Sequence, residues 1–414
     1  MKKKILIIGN SAKAYSLAKE LSKENQIFIA PKYDTANGFA ESLDIREDSI
    51  TELLEFVMEN DIELTIPISK KTLNTNIVEL FSNNNQQIFA PNKSALNLVL
   101  DKALAKKCFY KLRIPTPKFG IFEKQNMAMD YIKNFKSPFV IKTNDDLSAV
   151  ILTSQLTAKK IIDDIFAQNK KVIIEDYIWG TPFSFYIITD GYKALPIGSS
   201  IIYKHSLEGN GGQLTTGMGA CSPNYKLSQE NENFLINDVA YPILEYLEQN
   251  KAPYCGILAI NGILTETNSI EILGLDTFMN DCDTDAVLNL LDTNLIDLMK
   301  SCIIGSFSDE VDFIPQKEIS ATSLVLKCNN KNNVENIIEG LEVLDESTSL
   351  TLYPNIKKNK YLEFEAEFGS VLVLTTFAST VSSSVKKAYE EAENIKFKGI
   401  NFRKDICKPS LDNI

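Results

Sequence analysis

At 414 residues, with 44% hydrophobic and 23% charged side chains, the chain has an ordinary globular composition and is too long for one core, so about three domains are expected. The 43 basic residues against 54 acidic ones give a net charge of −11, with no basic stripe or tail, which argues against a nucleic-acid or anionic-membrane partner. The seven cysteines are scattered and never form a CxxC pair, and the single histidine, His205, excludes the usual His-based zinc sites.

The opening MKKKILIIGN mimics a signal peptide, but its apolar run covers only Ile5 to Ile8 and no cleavage site follows. It reads as the first strand of a cytoplasmic protein. No apolar segment approaches the ~18 residues needed to span a bilayer. Residues 1–100 then alternate: strand Lys4 to Ile8, helix Ala12 to Leu21, strand Gln26 to Ala30, helix Ile50 to Asn60, strand Leu64 to Pro67, helix Leu73 to Phe81, strand Gln87 to Ala90. Such βα alternation implies a doubly wound domain with an open parallel sheet. The first turn, Gly9-Asn10-Ser11-Ala12, has one glycine where a dinucleotide fingerprint has three, so a small anion suits that helix N-terminus better than NAD does.

Residues 101–187 read as a lid with a lead-in helix. Asn97 to Leu112 is expected as one helix, closed by the prolines of Ile114-Pro115-Thr116-Pro117. Four short strands (119–122, 139–142, 149–152, 172–175) and two helices (127–134, 158–167) follow as a small α+β unit. In residues 188–315 the notable stretch is Ser199 to Pro223, SSIIYKHSLEGNGGQLTTGMGACSP, with five of the 18 glycines. Glycine at this density reads as a loop whose backbone curves tightly or approaches a ligand. Lys204 and His205 enter it, and Thr215, Thr216 and the amides of Gly217-Met218-Gly219 leave it, a donor set suited to phosphate or carboxylate. A long surface loop with no ligand is the alternative. Helix Asn231 to Glu248, strands Cys255 to Leu264 and Ser269 to Leu275, an acidic loop and helix Ala286 to Ser301 come next. Residues 316–414 change to an antiparallel series (323–327, 360–368, 371–377), then helix Val381 to Ile395 and a basic piece ending at Arg403.

Four stretches, in this order, carry a resemblance: Asp101-Lys102 ahead of Arg113-Ile114-Pro115-Thr116; Pro138-Phe139-Val140-Ile141-Lys142; Thr215 to Pro223; and Ile395 to Ile406. Together they resemble the ATP-grasp ligases, and within them the glycinamide ribonucleotide synthetases (phosphoribosylamine–glycine ligases) of purine biosynthesis. The third stretch is the most specific, close to that family's TGGMGAYSP. The resemblance implies an ATP-grasp fold of α/β and α+β domains: an N-terminal doubly wound parallel sheet, an inserted lid and a C-terminal antiparallel domain. It implies that ATP, with Mg²⁺ or Mn²⁺, lies between lid and large domain, and that glycine attacks the γ-phosphate. The amine of 5-phosphoribosylamine then attacks the glycyl phosphate, giving glycinamide ribonucleotide, ADP and phosphate. Positioning and charge neutralisation would do most of the work.

On that resemblance Lys102 and Lys142 contact the ATP phosphates, and Glu175, Asp176, Tyr177 and Ile178 form the adenine hinge. Lys204, Thr215, Gly217, Met218 and Gly219 hold glycine and phosphoribosylamine, with Lys142, Lys204, Gly217 and Gly219 as the catalytic set. Asp276 and Glu271 bind the metal, and Arg403 reaches the cleft or forms a surface pair. A monomer or weak homodimer is expected. There are departures. The lid loop Thr143 to Val150 lacks the family's glycines and carries two aspartates, which would repel phosphates. Gly274 stands where the family has a glutamate and Asp276 where it has an asparagine; a slip that brought Glu271 to that glutamate's place would reverse strand parity. A catalytically weakened scaffold that binds a nucleotide or a partner, and a ligase for another amine, are therefore the alternatives.

Overall fold

A computed structural model describes residues 2–133, 138–143, 149–168, 170–305, 307, 314–331 and 336–408. The N-terminal strands β1 (Lys4–Ile8), β2 (Gln26–Ala30), β3 (Glu41–Ser42) and β4 (Leu64–Pro67) form a parallel sheet in the order β3-β2-β1-β4. Ile5 and Ile7 face one core and Leu6 and Ile8 another, so the sheet is covered on both sides, as a parallel sheet requires. Helices α1 (Ala12–Ser22), α2 (Ile50–Glu59), α3 (Lys70–Leu73) and α4 (Ile77–Asn83) connect and cover the strands. The single helix expected over 73–81 is therefore two, parted at Asn74 to Asn76, and the strand expected at 87–90 is reduced to one bridge, Thr65 to Ile88.

The helix expected over 97–112 is also two: α5 (Lys93–Leu100) and α6 (Lys102–Leu112). Asp101 leaves helical geometry (φ −89°, ψ 96°) and its carboxylate accepts from the Leu104 amide at 2.7 Å, capping α6. That break starts a new helix at Lys102. The lid sheet follows, β5 (Phe119–Phe122), β6 (Phe139–Thr143), β7 (Ala149–Leu152) and β8 (Val172–Asp176) in the order β5-β8-β6-β7, backed by α7 (Gln125–Lys133) and α8 (Gln155–Ala167). The departure noted at Asn144 to Ser148 lies outside the described residues.

The largest sheet has nine strands: β9 (Thr181–Thr189), β10 (Ala194–Leu207), β11 (Gly211–Ser222), β12 (Gly256–Leu264), β13 (Ile270–Thr277), β14 (Ser320–Cys328), β15 (Ser349–Leu352), β18 (Gly369–Ala378) and β19 (Ile400–Asn401). A separate two-residue pair, β16 (Lys357–Lys358) and β17 (Phe364–Glu365), is all that forms of the strand expected over 360–368. β9 crosses the boundary expected at 187–188 and pairs with β10 and β12, so the lid sheet ends at β8. β11 pairs with β14, so the sheet runs unbroken from the central segment into the C-terminal one. The glycine-rich stretch is thus not a loop. It is a long antiparallel hairpin whose register shifts around Tyr203 to His205 and again towards Leu207.

Helices α9 (Gln229–Phe234) and α10 (Tyr241–Gln249) flank a π-helical turn, Leu235–Ala240, where one helix was expected. Pro242, in the first turn of α10, has no N–H to continue the ladder. Helix α11 (Thr284–Leu290) is likewise parted from α12 (Leu295–Ile303), which Asn294 caps by accepting from the Asp297 amide. α13 (Val381–Asn394) packs its buried face on β14 and β18. No described helix is long and apolar enough to cross a membrane.

Candidate active site

A cleft of about 840 Å³ opens where the N-terminal sheet, the lid and the large sheet meet. Lys13 and Lys70 come to it from the first turns of α1 and α3, just beyond β1 and β4, and Lys102 and Lys106 from α6. Lys142 and the run Glu175 to Ile178 come from the lid, and Lys204, His205, Thr215 and Asp276 from the large sheet. Of the residues expected at the site, Lys102, Lys142, Lys204, Glu175, Asp176, Tyr177, Ile178, Thr215 and Asp276 all line this one cleft.

On the lid side Glu175 is the organising group. It is 1% exposed, and its two oxygens are ion-paired to different lysines: one to Lys142, the other to Lys106 at 2.9 Å. Burial alone would raise the Glu175 pKa, but the Lys142 and Lys106 charges reverse that and hold it below the ordinary carboxylate range. Burial pushes Lys106 down to about 8 against the pull of Glu175. Lys106 also donates to the Thr116 hydroxyl at 2.7 Å, which donates to the Ile272 carbonyl at 2.7 Å, tying α6 to β13. The Glu175 side chain is therefore committed to the two lysines, while its backbone belongs to the hinge expected to meet an adenine edge. Lys106 was not among the expected site residues. Its spacing of four from Lys102, one helical turn, was the available signal.

On the sheet side Lys204 is half-buried and has no ion-pair partner among the described residues, and desolvation pulls its pKa down while Asp276 pulls the other way. Thr215 donates to the Lys204 carbonyl at 2.9 Å and accepts from the Gly217 amide at 3.1 Å, stitching the hairpin beside it. Gly217, Met218 and Gly219 do not line the cleft. Met218 is 1% exposed. A Cβ on Gly217 (φ +141°) would lie 2.5 Å from the Cys282 sulfur, and one on Gly219 2.6 Å from the Ser323 carbonyl oxygen. Close packing of β11 against the acidic loop and β14 leaves no room for a side chain at either glycine. Arg403 is buried in an ion pair with Asp405 at 2.7 Å and donates to the His205 carbonyl, so it braces the hairpin and does not line the cleft.

The donors expected for a divalent ion do not fit one. The Asp276 carboxylate is ion-paired to Lys70 at 2.9 Å, which with Lys13 keeps its pKa low despite burial. Gly274 offers no side chain. Glu271 is not a cleft-lining residue, and burial raises its pKa. A bulge at Leu273, with Asn261 opposite Gly274 and Gly262 opposite Ile272, restores parity, so Glu271 and Asp276 do share a face of β13 although five residues apart. They still make no chelate, and no group of three or more His, Cys, Asp or Glu able to hold a metal occurs among the described residues. Asp283 is fully buried, bound by the Tyr186 hydroxyl and, at 3.0 Å, by the Asn280 amide; burial raises its pKa to about 6.

A parallel N-terminal sheet, a four-stranded lid and a large antiparallel sheet closing on one lysine-rich cleft define an ATP-grasp protein, and solved structures bear this out. A phosphoribosylamine–glycine ligase from Thermotoga maritima superposes with a TM-score of 0.81 at 18% identity, covering 98% of this chain and all of that one. A biotin carboxylase complex with β,γ-ATP from Campylobacter jejuni gives 0.71 at 12% identity, over 97% of this chain and 93% of that one. The chain belongs to the phosphoribosylglycinamide synthetase family: its N domain matches over residues 3–98 and its ATP-grasp (A) domain over residues 100–284. Phosphoribosylamine–glycine ligases from Clostridium acetobutylicum (27% identical, over 98% of this chain and 99% of that one) and Neisseria meningitidis (28%, over 99% and 100%) match end to end.

Proposed function

We propose that this protein is an ATP-dependent ligase that joins glycine to 5-phosphoribosylamine through a glycyl phosphate. Family membership over both domains supports the reaction class, and one observation carries the reading to this chain: lysines from three separate elements, Lys102, Lys142 and Lys204, converge on a single cleft. The adenine would sit against Asp176-Tyr177-Ile178, with Lys102 and Lys142 neutralising its phosphates. Lys142 would be oriented by Glu175, which Lys106 holds in place. Lys204, partly desolvated and without a carboxylate ion pair among the described residues, would face the charge that develops as the glycine carboxylate attacks the γ-phosphate. Lys13 and Lys70 would line the end that receives the phosphorylated amine.

Mg²⁺ accompanies the nucleotide in a related biotin carboxylase domain from Hydrogenobacter thermophilus, solved with MgADP. In this chain Asp276 is engaged by Lys70, so no step is assigned to a protein-held ion. The sole tryptophan, Trp179, is 68% exposed and stacks edge-on to the hinge Tyr177, which makes it a reporter of nucleotide binding. An ATP titration should change its fluorescence, and Lys142→Met should weaken the response roughly tenfold or more. No fluorescence response, or an unaltered one in the variant, would sink the assignment of the cleft to ATP.

A further inference from the structure

His205 is the one histidine in the chain and it is 8% exposed in the cleft wall. The irregular register of the hairpin lets the consecutive residues Lys204 and His205 both reach the cleft, which a regular strand would not allow. Its ring Nδ1 is buried and has no hydrogen-bond partner among the described residues. A buried polar atom without a partner costs stability, and at a cleft wall the simplest compensation is a ligand that donates to it. The backbone of Gly212 lies beside the ring, Lys204 precedes it on the strand, and Arg403 (itself paired to Asp405) donates to its carbonyl from behind at 3.1 Å. Burial, opposed by the Gly212 backbone and helped by the Arg403 charge, holds the imidazole below its usual pKa.

The ligase reaction contains a step that requires a group of this kind. When the amine nitrogen bonds to the carbonyl carbon of glycyl phosphate, the bond from that carbon to the phosphate oxygen breaks. Phosphate leaves with the electron pair, and the nitrogen must shed one proton. The carboxylates whose charges reach Lys204 are already engaged: Asp276 by Lys70, and Asp283 by the Tyr186 hydroxyl and the Asn280 amide. We propose that the Nδ1 of His205 accepts the proton of the attacking amine and that His205 is a catalytic residue of the second half-reaction. This rests on the ligase reading. The imidazolium formed gives the proton to the departing phosphate or to solvent.

The test separates the half-reactions. With ATP labelled with ¹⁸O in the β,γ-bridge and glycine alone, positional isotope exchange reports glycyl phosphate formation. His205→Gln should leave that exchange within about twofold of wild type while slowing amide formation from 5-phosphoribosylamine roughly 10²-fold. Hydroxylamine, a strong nucleophile that is neutral at pH 7, should form the hydroxamate at a much less reduced rate. Exchange and amide formation falling together, or amide formation unchanged, would overturn the proposal. No exchange in the wild type together with no amide formed from the three substrates would overturn the ligase reading, and this one with it; no exchange beside full amide formation would overturn the separation of half-reactions proposed here. A second measurement needs no variant. The lone imidazole gives unambiguous ¹⁵N signals, and at pH 7 they should show Nδ1 unprotonated and Nε2 carrying the proton; the opposite tautomer would contradict the assignment.

Discussion

Glu175 and its two lysines show how a single buried carboxylate sets the geometry of the ATP side of the cleft. A buried ion pair is weak evidence of net stability, but breaking one is costly because it strands a charge. Lys106→Met removes one partner while Lys142 remains, and it frees the Thr116 hydroxyl as well. The expected loss is about 2–4 kcal/mol in urea unfolding, with weaker nucleotide binding as Lys142 loses its fixed orientation. A loss under about 0.5 kcal/mol would show that the contact is incidental.

Asp283 gives a pH signature of opposite sense to a salt-bridged acid. Its folded pKa, about 6, lies above the ordinary 3.8, so the folded state binds the extra proton between those values. Its stabilising contribution is fully present below pH 3.8 and is lost as pH rises through about 6. Asp283→Asn keeps an acceptor for the Asn280 amide and removes this dependence. The variant should gain on the wild type between pH 4.5 and 7, read as the difference in urea midpoint at the two values. An equal difference at both would contradict the role of burial.

At the level of elements, the hairpin β10–β11 decides how the large sheet meets the cleft. Gly217→Ala would drive a methyl into the Cys282 sulfur at a backbone conformation that alanine rarely adopts, at a cost of about 2–3 kcal/mol. Adding Cys282→Ala should recover part of that loss, since the nearest clash is the sulfur itself, and a double-mutant cycle by thermal unfolding reads the coupling. Strict additivity would place the strain elsewhere. Here the sequence misled in an instructive way. Glycine density signalled close approach correctly, but the approach is to Cys282 and Ser323, residues far along the chain that composition cannot point to. Breaks at Asp101, Asn294 and Pro242 were marked by capping or breaker residues inside apolar runs long enough to read as single helices. Parity along β13 could not be read either, because one bulged residue, Leu273, reverses it.

At the scale of the molecule, the parallel sheet, lid and antiparallel sheet were legible because each carries its own periodicity, and the order of four motifs identified the family. The spacing of Lys106 from Lys102 was legible, but its role was not, since that depends on Glu175 reaching it from the lid. Nor could sequence reveal that Lys70 crosses from the N-terminal sheet to occupy Asp276. The account therefore rests on the cleft working as one active site built from all three sheets. The direct measurement is product formation by the purified full chain with ATP, glycine and freshly generated 5-phosphoribosylamine, each omitted in turn. The account predicts glycinamide ribonucleotide and phosphate in equal amounts only when all three are present. Saturable ATP binding at Trp179 with no amide formed under any combination would contradict it.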